Sequence, residues 1–159
     1  MSWSAMSYDR MDSPRLELTP LLIDSLYTEA LLLADEARHC FDRSQANGQL
    51  SSEISVAFSY ESLKVTTRLM HSIAWLLNQK ALRAGEISDE DAHSDSLNLG
   101  YAPVSDAAQV KRFPPEARAL IAASEELYFR LHRFSEKMRT AATSVSEPIA
   151  MRERLRSSF

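Results

Sequence analysis

Hydrophobic residues recur along this chain at three- and four-residue steps in three long tracts, the spacing of helices rather than strands. In the first tract Ile23, Leu26, Ala30, Ala34, Ala37 and Phe41 repeat behind Thr19-Pro20. Thr caps orphan amides, and Pro suits a first helical turn, where a missing donor costs nothing. Asn47-Gly48 closes this helix, because Gly accepts the left-handed conformation of a helix exit. The second tract starts near Ser51-Ser52-Glu53 and runs to Ala84-Gly85. On a wheel of about 100° per residue its main stripe is Val56, Tyr60, Leu63, Met70, Ala74, Leu77 and Ala81, with Thr67 inside it. Phe58, Val65, Leu69 and Leu76 form a second, flanking stripe. Glu61, Arg68, Ser72 and Gln79 form the predicted outward strip, with Lys64 beside it. A helix apolar round more than half its girth is buried on two sides. The last tract starts at Pro114-Pro115, and Ala117, Leu120, Ser124, Leu127, Leu131, Phe134, Met138 and Ala141 give it a near-heptad core stripe.

These tracts predict an all-α protein: an antiparallel three-helix bundle with an acidic, helix-containing connector between the second and third helices. Residues 1–18 read as a flexible leader, 19–142 as the bundle domain and 143–159 as a mobile tail. In the connector, Ser88-Asp89-Glu90-Asp91 is a helix-start pattern, serine followed three residues on by an acid. Residues 100–113 read as irregular.

Composition narrows the function classes. The length suits one domain with a substantial core. Hydrophobic residues are 45% and charged residues 25%, globular values, and three glycines are few for a strand-and-turn architecture. A net charge of −4 gives no basic excess of the kind that marks a nucleic-acid surface. Charge is uneven: no Lys or Arg lies between Arg83 and Lys111, and the last third is mildly basic. The lone cysteine, Cys40, can make no internal disulfide, so a reducing compartment is expected. The N-terminus lacks a signal-peptide pattern and no tract is apolar enough to span a bilayer, so the expected location is the cytoplasm.

Candidate chemistry is sparse. Glu36-Ala37-Arg38-His39 and Glu90-Asp91-Ala92-His93 are both E-x-x-H, the pairing used with two further glutamates in carboxylate-bridged metal bundles. Glu61 and Glu125 are the available extra carboxylates. On the wheel, however, Glu36 and His39 point away from the core, and the second pair sits in the connector, so solvated charge is the better reading. His71 and His132 lie at the edges of their apolar stripes, where packed histidines are common. Cys40 reads as a small buried hydrophobe, and His39 points elsewhere, so the two form no activated thiol pair. The chain has no glycine-rich phosphate loop, G-x-S-x-G elbow or calcium loop. No catalytic residue, cofactor or metal is expected.

Interaction surfaces are the stronger lead. Three helices offer few places for Phe58, Val65, Leu69, Trp75 and Leu76 in addition to the main stripe. These residues are therefore the expected dimer or partner surface, joined by Phe129 on the outer side of the last helix. A homodimer follows from the same surplus. Arg152, Arg154 and Arg156 read either as a solvated end or as a tether that docks on a partner.

Three segments carry a family resemblance: YTEALLLADEARHCF (27–41), ESLKVTTRLMHSIAWLLNQKALRAGEIS (61–88) and FPPEARALIAASEELYFRLHRF (113–134). Together they resemble the alphaproteobacterial RcdA family, regulators of CtrA degradation, over most of 19–134. The resemblance implies a dimeric three-helix bundle without catalytic activity. It implies an adaptor in cell-cycle-controlled proteolysis that helps deliver substrates, notably CtrA, to the ClpXP protease at the cell pole alongside other adaptors. It brings no catalytic residues, and the short tail here is not matched to any tail motif.

Overall fold

The computed structural model describes residues 13–46, 48, 50–88 and 98–157, the side chains of residues 13–19 and 141–149 excepted. All the regular structure among these residues is helical. Helix α1 spans Ser13–Ala46, α2 Ser52–Arg83, α3 Ala107–Val110 and α4 Pro115–Ser157. The three long helices pack on one another pairwise, and α3 lies against α2.

Local chemistry sets the boundaries. Gly48 takes φ 59° just after α1, the left-handed exit that a Cβ disfavours. Ser51 caps α2, its hydroxyl accepting from the Ile54 amide at 3.4 Å, and Gly85 at φ 75° follows its end. Asp106 caps α3 through the Ala108 amide at 3.0 Å. Helix α1 begins upstream of the expected Thr19-Pro20 start, and Pro20 sits inside it. A proline near the start of a long helix removes one amide hydrogen bond while the turns downstream continue. Residues 100–113 are not wholly irregular, since α3 occupies four of them. The connector pattern from Asp89 to Asp91, with Glu90 and His93, lies outside the described residues.

Cross-helix pairs fix the chain directions. Asp24 faces Lys80 and Arg83 at the far end of α2, and Gln45 reaches Ser59 near its start, so α1 and α2 are antiparallel. Arg43–Glu116 and Glu29–Arg130 set α1 antiparallel to α4. Arg68–Ser124 and Trp75–Phe134 set α2 parallel to α4. The three long helices are therefore not antiparallel throughout, contrary to the expectation from the sequence: α2 and α4 are parallel, because the long return from 84 to 114 brings the chain back to the same end.

The core stripes expected for the first and last helices are where the sequence places them. Ile23, Leu26, Ala30, Ala37 and Phe41 are buried, and Ala34 packs partly against them. Ala117, Leu120, Ser124, Leu127 and Leu131 are buried, with Phe134 and Met138 partly so, and the side chain of Ala141, the last of that stripe, lies outside the described ones. At one end Phe58 meets Phe41 edge-on at 5.2 Å and Phe113 at 5.3 Å. Such pairs add about 0.5–1.5 kcal/mol beyond area burial. At the other end Trp75 meets Phe134 edge-on at 6.1 Å.

Helix α2 departs from the expectation. The predicted main stripe faces solvent, and the predicted outward strip is buried. Val56, Tyr60, Leu63, Met70 and Leu77 are between 45% and 69% exposed, whereas Glu61, Arg68 and Ser72 are at most 2% exposed. Phe58, Val65, Leu69, Trp75 and Leu76, expected as a dimer or partner surface, are all core residues of this chain. The physical reason is the return segment. It lays hydrogen-bonding groups over the polar strip, so Arg68 and Oε1 of Glu61 are buried with partners.

Helix α4 also outruns its neighbours. It has 43 residues against 32 in α2, so at about 1.5 Å per residue it is roughly 16 Å longer. The segment expected as a mobile tail after Thr143 is helical as far as Ser157. Arg152, Arg154 and Arg156 lie exposed on that last stretch beside Met151 and Leu155.

Candidate functional site: the two faces of helix α2

The buried face of α2 is organised by Arg68. Its Nε and Nη2 both donate to the Pro103 carbonyl, at 3.2 and 3.0 Å. Nη2 also donates to Ser105 Oγ at 2.5 Å, and Nη1 to Ser124 Oγ at 3.1 Å. Glu125 Oε1 lies 3.6 Å from Nη2. One guanidinium thereby ties α2 to α4 and to the return segment. The planar five-donor fork suits this work, and lysine could not reproduce it.

Two carboxylates complete the clamp. Glu61 Oε1 accepts from Lys64 Nζ and from the Asp106 amide, both at 3.0 Å. Glu125 Oε1 accepts from the Ser105 amide at 3.3 Å. Burial pushes the Glu61 carboxyl up, but hydrogen bonds from Ser105, the Asp106 amide and Lys64 outweigh it and hold Glu61 below its ordinary value. Burial pulls the Arg68 guanidinium below its ordinary value, opposed by Glu125 and Glu61. Asp106 therefore serves twice. Its amide is held by Glu61 while its side chain caps α3.

The return segment is held at a second point. Tyr128 donates to the Gly100 carbonyl at 2.8 Å, and the His71 ring lies against Gly100 itself. A Cβ at position 100 would come within 2.7 Å of His71 Nδ1. Glycine is required there by close approach. His71 is thus a packing residue between α2 and the return segment, in line with the sequence reading.

The opposite face of α2 carries Val56, Tyr60, Leu63, Thr67, Met70, Ala74, Leu77 and Ala81. The steps are four, three, four, three, four, three and four, an uninterrupted heptad seam on the solvent side. Thr67 Oγ1 donates back to the Leu63 carbonyl at 2.9 Å, satisfying its hydroxyl within the helix. From Val56 to Ala81 the seam runs about 38 Å. One helix width of about 10 Å makes that roughly 400 Å² in projection. That is within the size range, about 300–600 Å², of the largest apolar patches on monomers, which are often functional.

The remaining sequence-predicted residues do not converge. Glu36 and His39 are exposed, and His39 Nδ1 lies 2.8 Å from the Asp35 carbonyl. Glu61 and Glu125, the other candidate metal carboxylates, are engaged by Lys64, Arg68 and backbone amides. Together with Leu33, Arg43 and Glu116, His39 and Glu36 border an open groove of about 530 Å³ between α1 and α4, where Arg43 and Glu116 are already paired at 2.6 Å. Cys40 is buried, and burial first, then Glu116, pushes its thiol up, the behaviour of an inert core cysteine. Phe129 is 42% exposed with its ring 5.9 Å from that of Tyr128, and His132 is exposed with its ring 6.4 Å from the same tyrosine. Wheel reasoning missed Arg68. The available signal was Ser124, a polar residue inside the last helix's core stripe that implies a buried partner on a facing helix.

The match to a family model is extensive. The model described as protein of unknown function (DUF1465) matches residues 16–159, and the chain belongs to that family. No curated protein and no solved structure matches it. Among the described residues no helix is long and apolar enough to cross a membrane.

Proposed function

We propose that this protein is a non-catalytic, homodimeric adaptor or scaffold, built as a three-helix bundle in which α1 runs antiparallel to both α2 and α4. Its proposed role is in cell-cycle-regulated proteolysis, helping to deliver CtrA-like substrates to the ClpXP protease with accessory adaptors, in the cytoplasm and at the cell pole. The observation that supports an interaction role is the solvent-facing heptad seam of α2. A seam of that regularity is an association surface, whereas catalysis needs polar groups that converge on a reacting atom. The polar groups that do converge, around Arg68, are used in holding the return segment. The particular pathway rests on the resemblance of residues 27–41, 61–88 and 113–134 to the RcdA family.

The seam supports self-association, the partner being a second copy of α2. Phe129 and the basic end of α4 remain exposed on other surfaces and are the proposed contacts for cargo and protease components. The test is a pull-down with the purified unfoldase, the accessory adaptors and CtrA. Retention of CtrA that depends on this protein is the expected result. Absence of any binding with all adaptors present overturns the proteolysis role.

A further inference from the structure

We infer that two copies of α2 pair antiparallel about a two-fold axis passing between Thr67 and Met70. This rests on the self-association reading above and adds direction and register. The inference comes from side-chain size along the seam. In an antiparallel pair, positions that face each other across the axis have residue numbers with a constant sum. With the axis between Thr67 and Met70, Val56 meets Ala81, Tyr60 meets Leu77, Leu63 meets Ala74 and Thr67 meets Met70 of the second copy. Each layer sets a larger side chain against a smaller one, except Tyr60 with Leu77. Alternating large and small residues across facing positions is how layers interdigitate without voids.

A parallel pair matches each residue with itself. Tyr60 then meets Tyr60, while Ala74 meets Ala74 and Ala81 meets Ala81. One end is overfilled and the other carries two alanine layers that leave empty space, which costs stability at both ends. Flanking charge does not choose between the arrangements. The flanks carry Ala57, Lys64, His71 and Asn78 on one side and Ser59, Thr66, Ile73 and Lys80 on the other, with no carboxylate among them. Shape alone selects the direction.

The eight seam residues form a narrow strip of roughly 400 Å² on each copy, so the pair is a compact helix–helix contact below the roughly 800 Å² per partner of a standard interface. An isologous pairing supplies both partners from the same strip and leaves no apolar seam uncovered.

Cysteine cross-linking of the full-length chain tests the register. The native Cys40 is buried, so the unaltered protein sets the background. Under mild oxidation, an equimolar mixture of Leu63→Cys and Ala74→Cys chains is expected to give a disulfide-linked dimer, and either variant alone is expected to give none above background. Self-linking of Leu63→Cys alone overturns the antiparallel arrangement. Light scattering on the same samples separates the two readings. A dimer that fails to cross-link in the mixture refutes this register while self-association stands, and a monomer at high concentration refutes both. Should Leu63→Cys weaken association, Val56→Cys mixed with Ala81→Cys probes the same register at the seam's ends, with the same outcomes.

Discussion

Helix α2 carries charge on its inner face and hydrocarbon on its outer face, whereas α1 and α4 turn their expected apolar stripes inward. The inner face holds Glu61, Arg68 and Ser72 among Phe58, Val65, Leu69 and Leu76. The outer face holds Val56, Tyr60, Leu63, Met70 and Leu77. The difference shows that burial in this protein follows the availability of hydrogen-bond partners as well as hydrophobicity. Arg68 is buried because Pro103, Ser105 and Ser124 receive its donors. Most of the outer apolar face stays open to solvent, with Val56, Tyr60, Leu63 and Met70 each between 62% and 69% exposed, and it is the proposed association surface. One face fixes the fold and the other is free for association, so the two can be broken separately.

Arg68→Ala should give the largest effect. It removes the buried cation paired with Glu125, leaves Ser124 and the Pro103 carbonyl without their donor and frees the return segment, and breaking a buried ion pair by removing one partner costs about 3–5 kcal/mol. Chemical denaturation would measure it. A loss under about 1 kcal/mol would mean that the clamp behaves as a surface pair. On the outer face, Met70→Glu should leave secondary structure intact but weaken self-association by roughly 2 kcal/mol or more, about 30-fold, because a carboxylate would be buried near the two-fold without a partner. Analytical ultracentrifugation over a concentration series reads this directly. An unchanged dimer would move the association surface off α2.

Gly100→Ala should cost about 1–3 kcal/mol, since the added methyl meets the His71 ring. His71→Ala in the same chain should recover most of the loss in a thermal melt. The smallest effect is the pH dependence of Glu61. Its folded pKa lies below the ordinary value, so it binds fewer protons folded than unfolded near that value. Its stabilisation is therefore present above the ordinary carboxyl range, about 4.3, and is lost as pH falls through the folded pKa. Comparing the protein with Glu61→Gln by urea titration, the stability gap should be widest near neutrality and close in acid. A gap that does not change with pH would show that Glu61 contributes only neutral hydrogen bonding.

Much of the fold was legible in the residues. The steps from Ile23 to Phe41 and from Ala117 to Leu131 mark core stripes because they repeat at helical spacing without a break, and the further leucines of α1, Leu21, Leu22, Leu31 and Leu32, lie outside that repeat and are exposed. Ser51 and Gly85 bound α2 by local rules alone, hydroxyl capping and tolerance of positive φ. The start of α1 was less legible, since Pro20 read as a first-turn proline and is an interior one. For α2, the sequence determined that two apolar arcs flank a polar strip, and that one arc follows a strict heptad. It did not determine which arc faces inward.

Only the tertiary structure decided that. The return segment brings Pro103, Ser105 and the Asp106 amide over Arg68 and Glu61, residues 35 to 45 positions away in sequence. A helical wheel ranks positions by side-chain hydrophobicity and contains no term for a distant carbonyl. Satisfying the guanidinium converts a costly buried charge into a clamp, and that conversion turned the helix round. The periods and the caps follow from the residues alone because they depend on near neighbours. The inward face of α2 depended on partners supplied from elsewhere in the chain.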